Sequence, residues 1–127
     1  MPKIKHIAIR TKNVEQTAAF YKEVFELKQV GIGHSGVYLS DGHINLAILN
    51  VKEGAIGRKG LDHLGFKVED INKTMERVTR LGGKSLIENL NVNPTDPSNP
   101  QSYFEMKCAG PDGQEIDIST VGWAGNE

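Results

Sequence analysis

One twelve-residue pattern occurs twice in this chain, at a constant offset of 57 residues. His6-Ile-Ala-Ile-Arg-Thr-Lys-Asn-Val-Glu-Gln-Thr17 aligns with His63-Leu-Gly-Phe-Lys-Val-Glu-Asp-Ile-Asn-Lys-Thr74. His6 falls on His63, Asn13 on Asp70, Val14 on Ile71 and Thr17 on Thr74. A long repeat of this kind means one supersecondary unit used twice, and that restricts the folds open to the chain more than its composition does.

The periodicity inside the repeat names the elements. Ile7 and Ile9 alternate with His6, Ala8 and Arg10, and Leu64 and Phe66 alternate with His63, Gly65 and Lys67. Period-2 alternation predicts a strand with one buried face. Asn13 and Asp70 stand where helix N-caps belong. Val14, Thr17, Ala18, Tyr21 and Val24 make one helical stripe, and Ile71, Thr74, Met75, Val78 and Leu81 make the other. Gly82-Gly83 provides a left-handed exit from the second helix. Strand-like runs follow each helix: about 28–33, 36–40 and 43–50, then about 84–88, 102–109 and 114–120. Asp41-Gly42 and Asp112-Gly113 are matching hairpin turns. Each half therefore reads β-α-β-β-β. The expected organisation is one domain over 1–127, with modules at about 3–50 and 60–121 and a Gly-rich link at 51–59. Pro94, Pro97 and Pro100 predict an irregular loop over 89–101.

Composition then removes whole function classes. The chain has 127 residues and a net charge of −1, without a basic run or aromatic-basic interleaving, so a nucleic-acid partner is not expected. No apolar stretch is long enough to span a membrane. The opening Met-Pro-Lys-Ile-Lys-His runs straight into a strand pattern, with no signal-peptide character. The single cysteine forbids an intrachain disulfide, and a cytoplasmic location is expected.

Strand parity sorts the polar side chains. With Ile7 and Ile9 under one helix and Leu64 and Phe66 under the other, His6 and His63 point to the opposite faces. Ile116 and Ile118 read as core, so Glu115, Asp117 and Ser119 face the other way. Phe104, Met106 and Cys108 read as core, which puts Tyr103, Glu105 and Lys107 on the open face. Ile44, Leu46 and Ile48 read as core, leaving Asn45, Ala47 and Leu49 open. If the sheets curve with their helices outside, the open faces line one concave surface. Two imidazoles and a carboxylate there would suit Fe(II), Mn(II) or a similar divalent ion with open positions.

This pattern resembles the vicinal-oxygen-chelate superfamily, which includes glyoxalase I, methylmalonyl-CoA epimerase, extradiol dioxygenases, fosfomycin-resistance thiol transferases and bleomycin-binding proteins. The resemblance runs from Lys3 to about Val121. It is carried by Ile-Lys-His-Ile-Ala-Ile-Arg, Thr-Ala-Ala-Phe-Tyr-Lys-Glu-Val-Phe-Glu-Leu, Leu-Asp-His-Leu-Gly-Phe-Lys-Val-Glu-Asp-Ile and Gly-Pro-Asp-Gly-Gln-Glu-Ile-Asp-Ile. It implies an α+β fold of two tandem βαβββ modules with curved mixed sheets and the helices outside. It also implies metal ligands on the first and last strands of each module, which places them at His6, His63 and Asp117. The remaining family position falls at Ala47, with Asn45 a weaker candidate on the same face. Ala47 replaces the carboxylate or amide of glyoxalase I and the epimerase, and Asp117 stands where Glu is usual. Three protein ligands are thus expected, as in the dioxygenases and fosfomycin enzymes.

The functional expectation is a metal-dependent lyase, isomerase or dioxygenase acting on a small oxygenated molecule, its ion Fe, Mn, Ni, Zn or Co. Glu105 is the candidate general base, and its alternative is an ion pair with Lys107 or Lys67. Arg10, Tyr38, Lys67, Tyr103 and Trp123 are the candidate substrate contacts; packing, solvation or anchoring of the tail are the alternatives. His34 and His43 have no equivalents in the repeat and read as surface. Cys108 has core parity and reads as an inert buried thiol. The glycines at 31, 33 and 36 lie between strands, so they suit a hairpin rather than a phosphate loop. The rival reading is a metal-free antibiotic-binding protein of the bleomycin-resistance type. A homodimer is expected, and the ligand set is the same whether the histidines meet within one chain or across two.

Overall fold

The computed structural model describes residues 1–51, 60–87 and 105–126. Among them the order is β1 (Lys3–Thr11), α1 (Val14–Phe25), β2 (Lys28–Ile32), β3 (Gly36–Ser40), β4 (Asn45–Asn50), β5 (Gly60–Lys67), α2 (Ile71–Arg80), β6 (Lys84–Ile87), β7 (Met106–Ala109) and β8 (Glu115–Ser119). The α+β fold of two βαβββ repeats is present. Residues 52–59 of the expected link at 51–59, the Pro-rich loop and the part of the seventh strand before Glu105 lie outside the described residues.

The chain divides into two compact units. One contains His6–Asp62 with Trp123–Glu127, and the other Met1–Lys5 with His63–Gly122. In the first, the strand order is β2-β3-β4-β1, and in the second it is β6-β7-β8-β5. Both are mixed in the same way: the hairpin pairs are antiparallel, while β1 runs parallel to β4 and β5 parallel to β8.

The helices start where the sequence puts their caps. Asn13 Oδ1 accepts the Gln16 N–H at 2.9 Å, and Asp70 Oδ1 accepts the Lys73 N–H at 3.1 Å. Each cap satisfies a backbone donor that has no partner within its helix. Ala18 of α1 packs on Leu39 and Ile48, with Ile9 and Leu46 beside them. Ile71 of α2 packs on Val68, Cys108 and Ile118, with Phe66 and Ile116 beside them. Each helix thus covers the predicted apolar face of its own strands. Cys108 is fully buried, and burial pushes its thiol pKa up, as an inert thiol requires.

The strands are shorter than the alternation suggests. His43 and Ile44 belong to the turn before β4, because Asp41 Oδ1 accepts both of their N–H groups, at 2.8 and 2.9 Å. A side chain that caps two backbone donors competes with the ladder for them. Gly42 and Gly113 take φ of +99° and +83° in the two hairpin turns, a conformation that favours glycine.

Candidate metal centre

The first half-site stands on β1 and β4. The parallel register sets His6 beside Asn45 and Ala8 beside Ala47. This face was expected to be open, but it is covered: His6 is 4% exposed, and Asn45 and Ala47 are 1%. The C-terminal segment lies against it. Trp123 stacks on the His6 ring with centroids 4.8 Å apart and planes 10° apart. Asn45 Nδ2 donates to the Ala124 carbonyl at 2.8 Å. Only the amide nitrogen can donate there, so Oδ1 faces His6, 2.7 Å from Nδ1. His6 therefore donates from Nδ1 in its neutral form, which puts the ring lone pair on Nε2.

The second half-site stands on β5, β7 and β8. The register sets Gly65 beside Asp117, so Asp117 is the repeat equivalent of Ala47. Two residues before Asp117, Glu115 stands where Asn45 stands before Ala47. His63 Nδ1 lies 3.0 Å from Glu115 Oε2, and Nε2 lies 3.1 Å from Asp117 Oδ2. Lys107 Nζ reaches Asp117 Oδ1 at 2.6 Å and comes within 3.9 Å of Glu115.

Opposing effects set the protonation of Asp117. Burial alone would raise its pKa. The hydrogen bond and charge of His63, and then the Lys107 ammonium, outweigh that and hold it down at about 2. Lys107 is subject to the same balance: burial pushes it down, and the Asp117 charge and hydrogen bond leave it above its ordinary value. Asp117 is therefore an anion at neutral pH, as a carboxylate ligand must be.

The donor chemistry fits a divalent ion. A metal-ligating histidine usually gives its other ring nitrogen to a carboxylate or another acceptor. Both histidines do so here, through repeat-equivalent residues. His6, His63 and Asp117 are buried, and each offers one ligand atom. Imidazole nitrogen with carboxylate oxygen suits Zn, Fe, Mn, Co or Ni.

The family model of the Glyoxalase/Bleomycin resistance protein/Dioxygenase superfamily matches residues 3–118. The chain belongs to this superfamily. No curated protein matches it. Among solved structures, a hypothetical protein from Bacillus halodurans C-125 aligns with TM-score 0.71 at 16% identity, over 93% of each chain. A 2,3-dioxygenase from Pseudomonas sp. KL28 aligns with TM-score 0.69 at 20% identity, over 98% of this chain and 42% of its own. A Streptomyces coelicolor methylmalonyl-CoA epimerase aligns with TM-score 0.66 at 16% identity, over 92% of this chain and 96% of its own. At these identities the likeness is one of fold.

The other residues expected at the site of this superfamily member fall in different places. Arg10 Nη1 donates to the Asn50 carbonyl at 2.8 Å, and Nε lies 3.3 Å from Asp62 Oδ1. Tyr38 packs against Ala8, Ala47 and Leu49, on the His6 face of β1 and β4. Lys67 lies two residues beyond Gly65 on β5, half-buried, and its register partner is Ser119. Glu105 is 9% exposed, just before β7, and its charge acts on Lys107. Tyr103 lies outside the described residues. The side chains of His34 and His43 are both exposed. The sequence pattern assigned no role to Glu115 or to Lys107 beside Asp117. A signal for Glu115 was present, because it precedes Asp117 by two residues just as Asn45 precedes Ala47.

Proposed function

We propose that this superfamily member is a metal-dependent enzyme acting on a small oxygenated organic substrate, with the ion held by His6, His63 and Asp117. The observation that carries this reading is the pair of oriented imidazoles. Asn45 takes Nδ1 of His6, which leaves Nε2 as its ligand nitrogen; His63 has Nδ1 beside Glu115 and Nε2 beside Asp117, so an ion at Nε2 would take the place of the proton shared with Asp117. Asp117 supplies an ionised oxygen 3.1 Å from His63 Nε2.

When bound, the ion supplies Lewis-acid stabilisation of charge on a substrate oxygen. The chain's own residues do the rest. Glu105 moves the proton where the reaction requires one. Tyr38 and Tyr103 contact the apolar part of the substrate, and Arg10 and Lys67 favour an anionic one. The named relatives, a dioxygenase and an epimerase, bring oxygen insertion and isomerisation into the proposal; a lyase reaction draws on the same ligands. A homodimer is part of the proposal, as is a cytoplasmic location, which the single buried cysteine supports. No helix among the described residues is long and apolar enough to cross a membrane.

Elemental analysis of protein purified without added metal tests the reading. Near-stoichiometric transition metal is expected, and His63→Ala should lose it. Less than about a tenth of an equivalent, with no uptake on titration, would sink it, because tight three-ligand sites are well occupied.

A second reading has its own observation. Glu115, His63, Asp117 and Lys107 pair two anions with two potential cations, so Asp117 is satisfied without an ion. That arrangement suits a metal-free binding protein of the bleomycin-resistance type. The same metal analysis separates the two.

A further inference from the structure

The two histidines have equivalent acceptors, but of different chemistry. Glu115 is a carboxylate, and both of its oxygens only accept. Asn45 is an amide, with nearly the same shape at both ends and opposite polarity. Left to itself, Asn45 could present either its oxygen or its nitrogen to His6, and each choice fixes a different imidazole tautomer.

The end of the chain removes that choice. The Ala124 carbonyl accepts from Asn45 Nδ2 at 2.8 Å and so turns Oδ1 toward His6. The segment is anchored on both sides of this contact. Gly125 accepts from Ser40 Oγ at 3.1 Å. Asn126 Oδ1 accepts the Trp123 N–H at 2.8 Å, and its Nδ2 donates to the His43 carbonyl at 2.9 Å. Trp123 is 5% exposed and lies parallel to the His6 ring.

We propose that Trp123–Asn126 is a positioning strap for His6. Ala124 sets the Asn45 amide, Asn45 sets the His6 tautomer, and Trp123 sets the ring plane. The purpose of the strap rests on the metal reading, since a fixed lone pair on Nε2 serves a ligand nitrogen. The strap acts only on the half-site that has an amide, because a carboxylate needs no orienting.

The test uses the full chain labelled with nitrogen-15 histidine, free of metal and at mildly alkaline pH, with Co2+ alone as the binding probe. In the unmodified protein, NMR should find the His6 proton on Nδ1. Asn126→Ala releases the strap from a partly exposed position and should produce a mixture of tautomers. Asn45→Leu should do the same and weaken Co2+ binding about tenfold to a hundredfold, the usual cost of losing such a partner. Asn45→Asp should restore the Nδ1 proton, and in that background Asn126→Ala should no longer change the tautomer. A proton on Nε2 in the unmodified protein overturns the proposal without any variant. So does an unchanged tautomer in Asn126→Ala or Asn45→Leu. If the tautomer responds as expected but no Co2+ binds, the strap stands and the metal reading falls; if Co2+ binds and the tautomer ignores the strap, the reverse holds.

Discussion

The two halves share one backbone plan, but their half-sites differ in charge. At the first-strand position both carry histidine. Two strand positions decide the rest: Asn45 and Ala47 in one half, Glu115 and Asp117 in the other. The first half-site has no carboxylate, and Tyr38 and Trp123 pack around it. The second is an ion network in which every member has an opposite charge within 4 Å if His63 is protonated. The contrast shows how a repeated backbone can carry unlike chemistry at matching positions. The backbone supplies matching positions, and a few substitutions on one copy place the charge.

The largest expected effect comes from breaking the charged half. Asp117→Ala removes the carboxylate between His63 and Lys107 and leaves the half-buried ammonium with its longer, 3.9 Å contact to Glu115. Breaking a buried pair by removing one partner costs about 3–5 kcal/mol. Ala47→Gly, at the equivalent position, removes only a methyl and should cost about 1 kcal/mol. Urea unfolding of both variants measures the difference. Equal midpoints would mean that the ion network contributes nothing that the neutral half lacks.

Acid should separate the halves next. The folded Asp117 titrates at about 2, below its ordinary 3.8. A carboxylate with a depressed folded pKa stabilises the fold above its unfolded pKa, and the contribution is lost as pH falls through the folded one. Metal-free protein should therefore lose about 2 kcal/mol between pH about 4 and about 2, at about 1.4 kcal/mol per unit. Asp117→Asn should flatten that part of the curve. An unaltered slope in the variant would assign the acid sensitivity to other carboxylates.

Making the second half-site resemble the first is a milder change. Glu115→Gln keeps an acceptor near His63 Nδ1 but removes its charge, as Asn45 does for His6. Because Glu115 is about one-third exposed, the loss in metal affinity should lie near tenfold, the low end for such partners. Co2+ titration reads it, and unchanged affinity would show that hydrogen bonding alone, without charge, supports His63.

Much of this was legible in the sequence because period-2 alternation is strict where one face is buried. The repeat placed both first strands, both caps and the histidines on the faces away from the helices, and the family resemblance matched Ala47 with Asp117. What escaped depends on long-range contacts. Nothing near Trp123 in sequence says that it stacks on His6, or that Ala124 addresses Asn45, because tail residues carry no periodicity. Lys107 alternates with Met106 and Cys108 as a face residue, but parity cannot say which carboxylate it meets. Alternation starts the fourth strand at 43, but the ladder begins at Asn45, for a local reason. Alternation continues into a turn whose backbone donors already have a side-chain acceptor.

The smallest prediction compares the two hairpin turns. Both read Asp-Gly, and both glycines take positive φ. In the first, Asp41 Oδ1 accepts from His43 and Ile44, and these bonds hold its carboxyl below the usual range. In the second, the turn acceptor is Gln114 Oε1 rather than an aspartate, and it takes the Asp112 N–H at 3.1 Å. Asp41→Ala should therefore cost about 1 kcal/mol, the usual net value of a hydrogen-bonded turn side chain, while Asp112→Ala should stay within about 0.5 kcal/mol. Asp41 contributes less as pH falls below its ordinary value, because protonation weakens the acceptor, so the gap between the variants should narrow in acid. Thermal unfolding of both variants at neutral and acidic pH measures the gap. A gap that is equal at both pH values would assign the Asp41 contribution to chain geometry rather than to its charge.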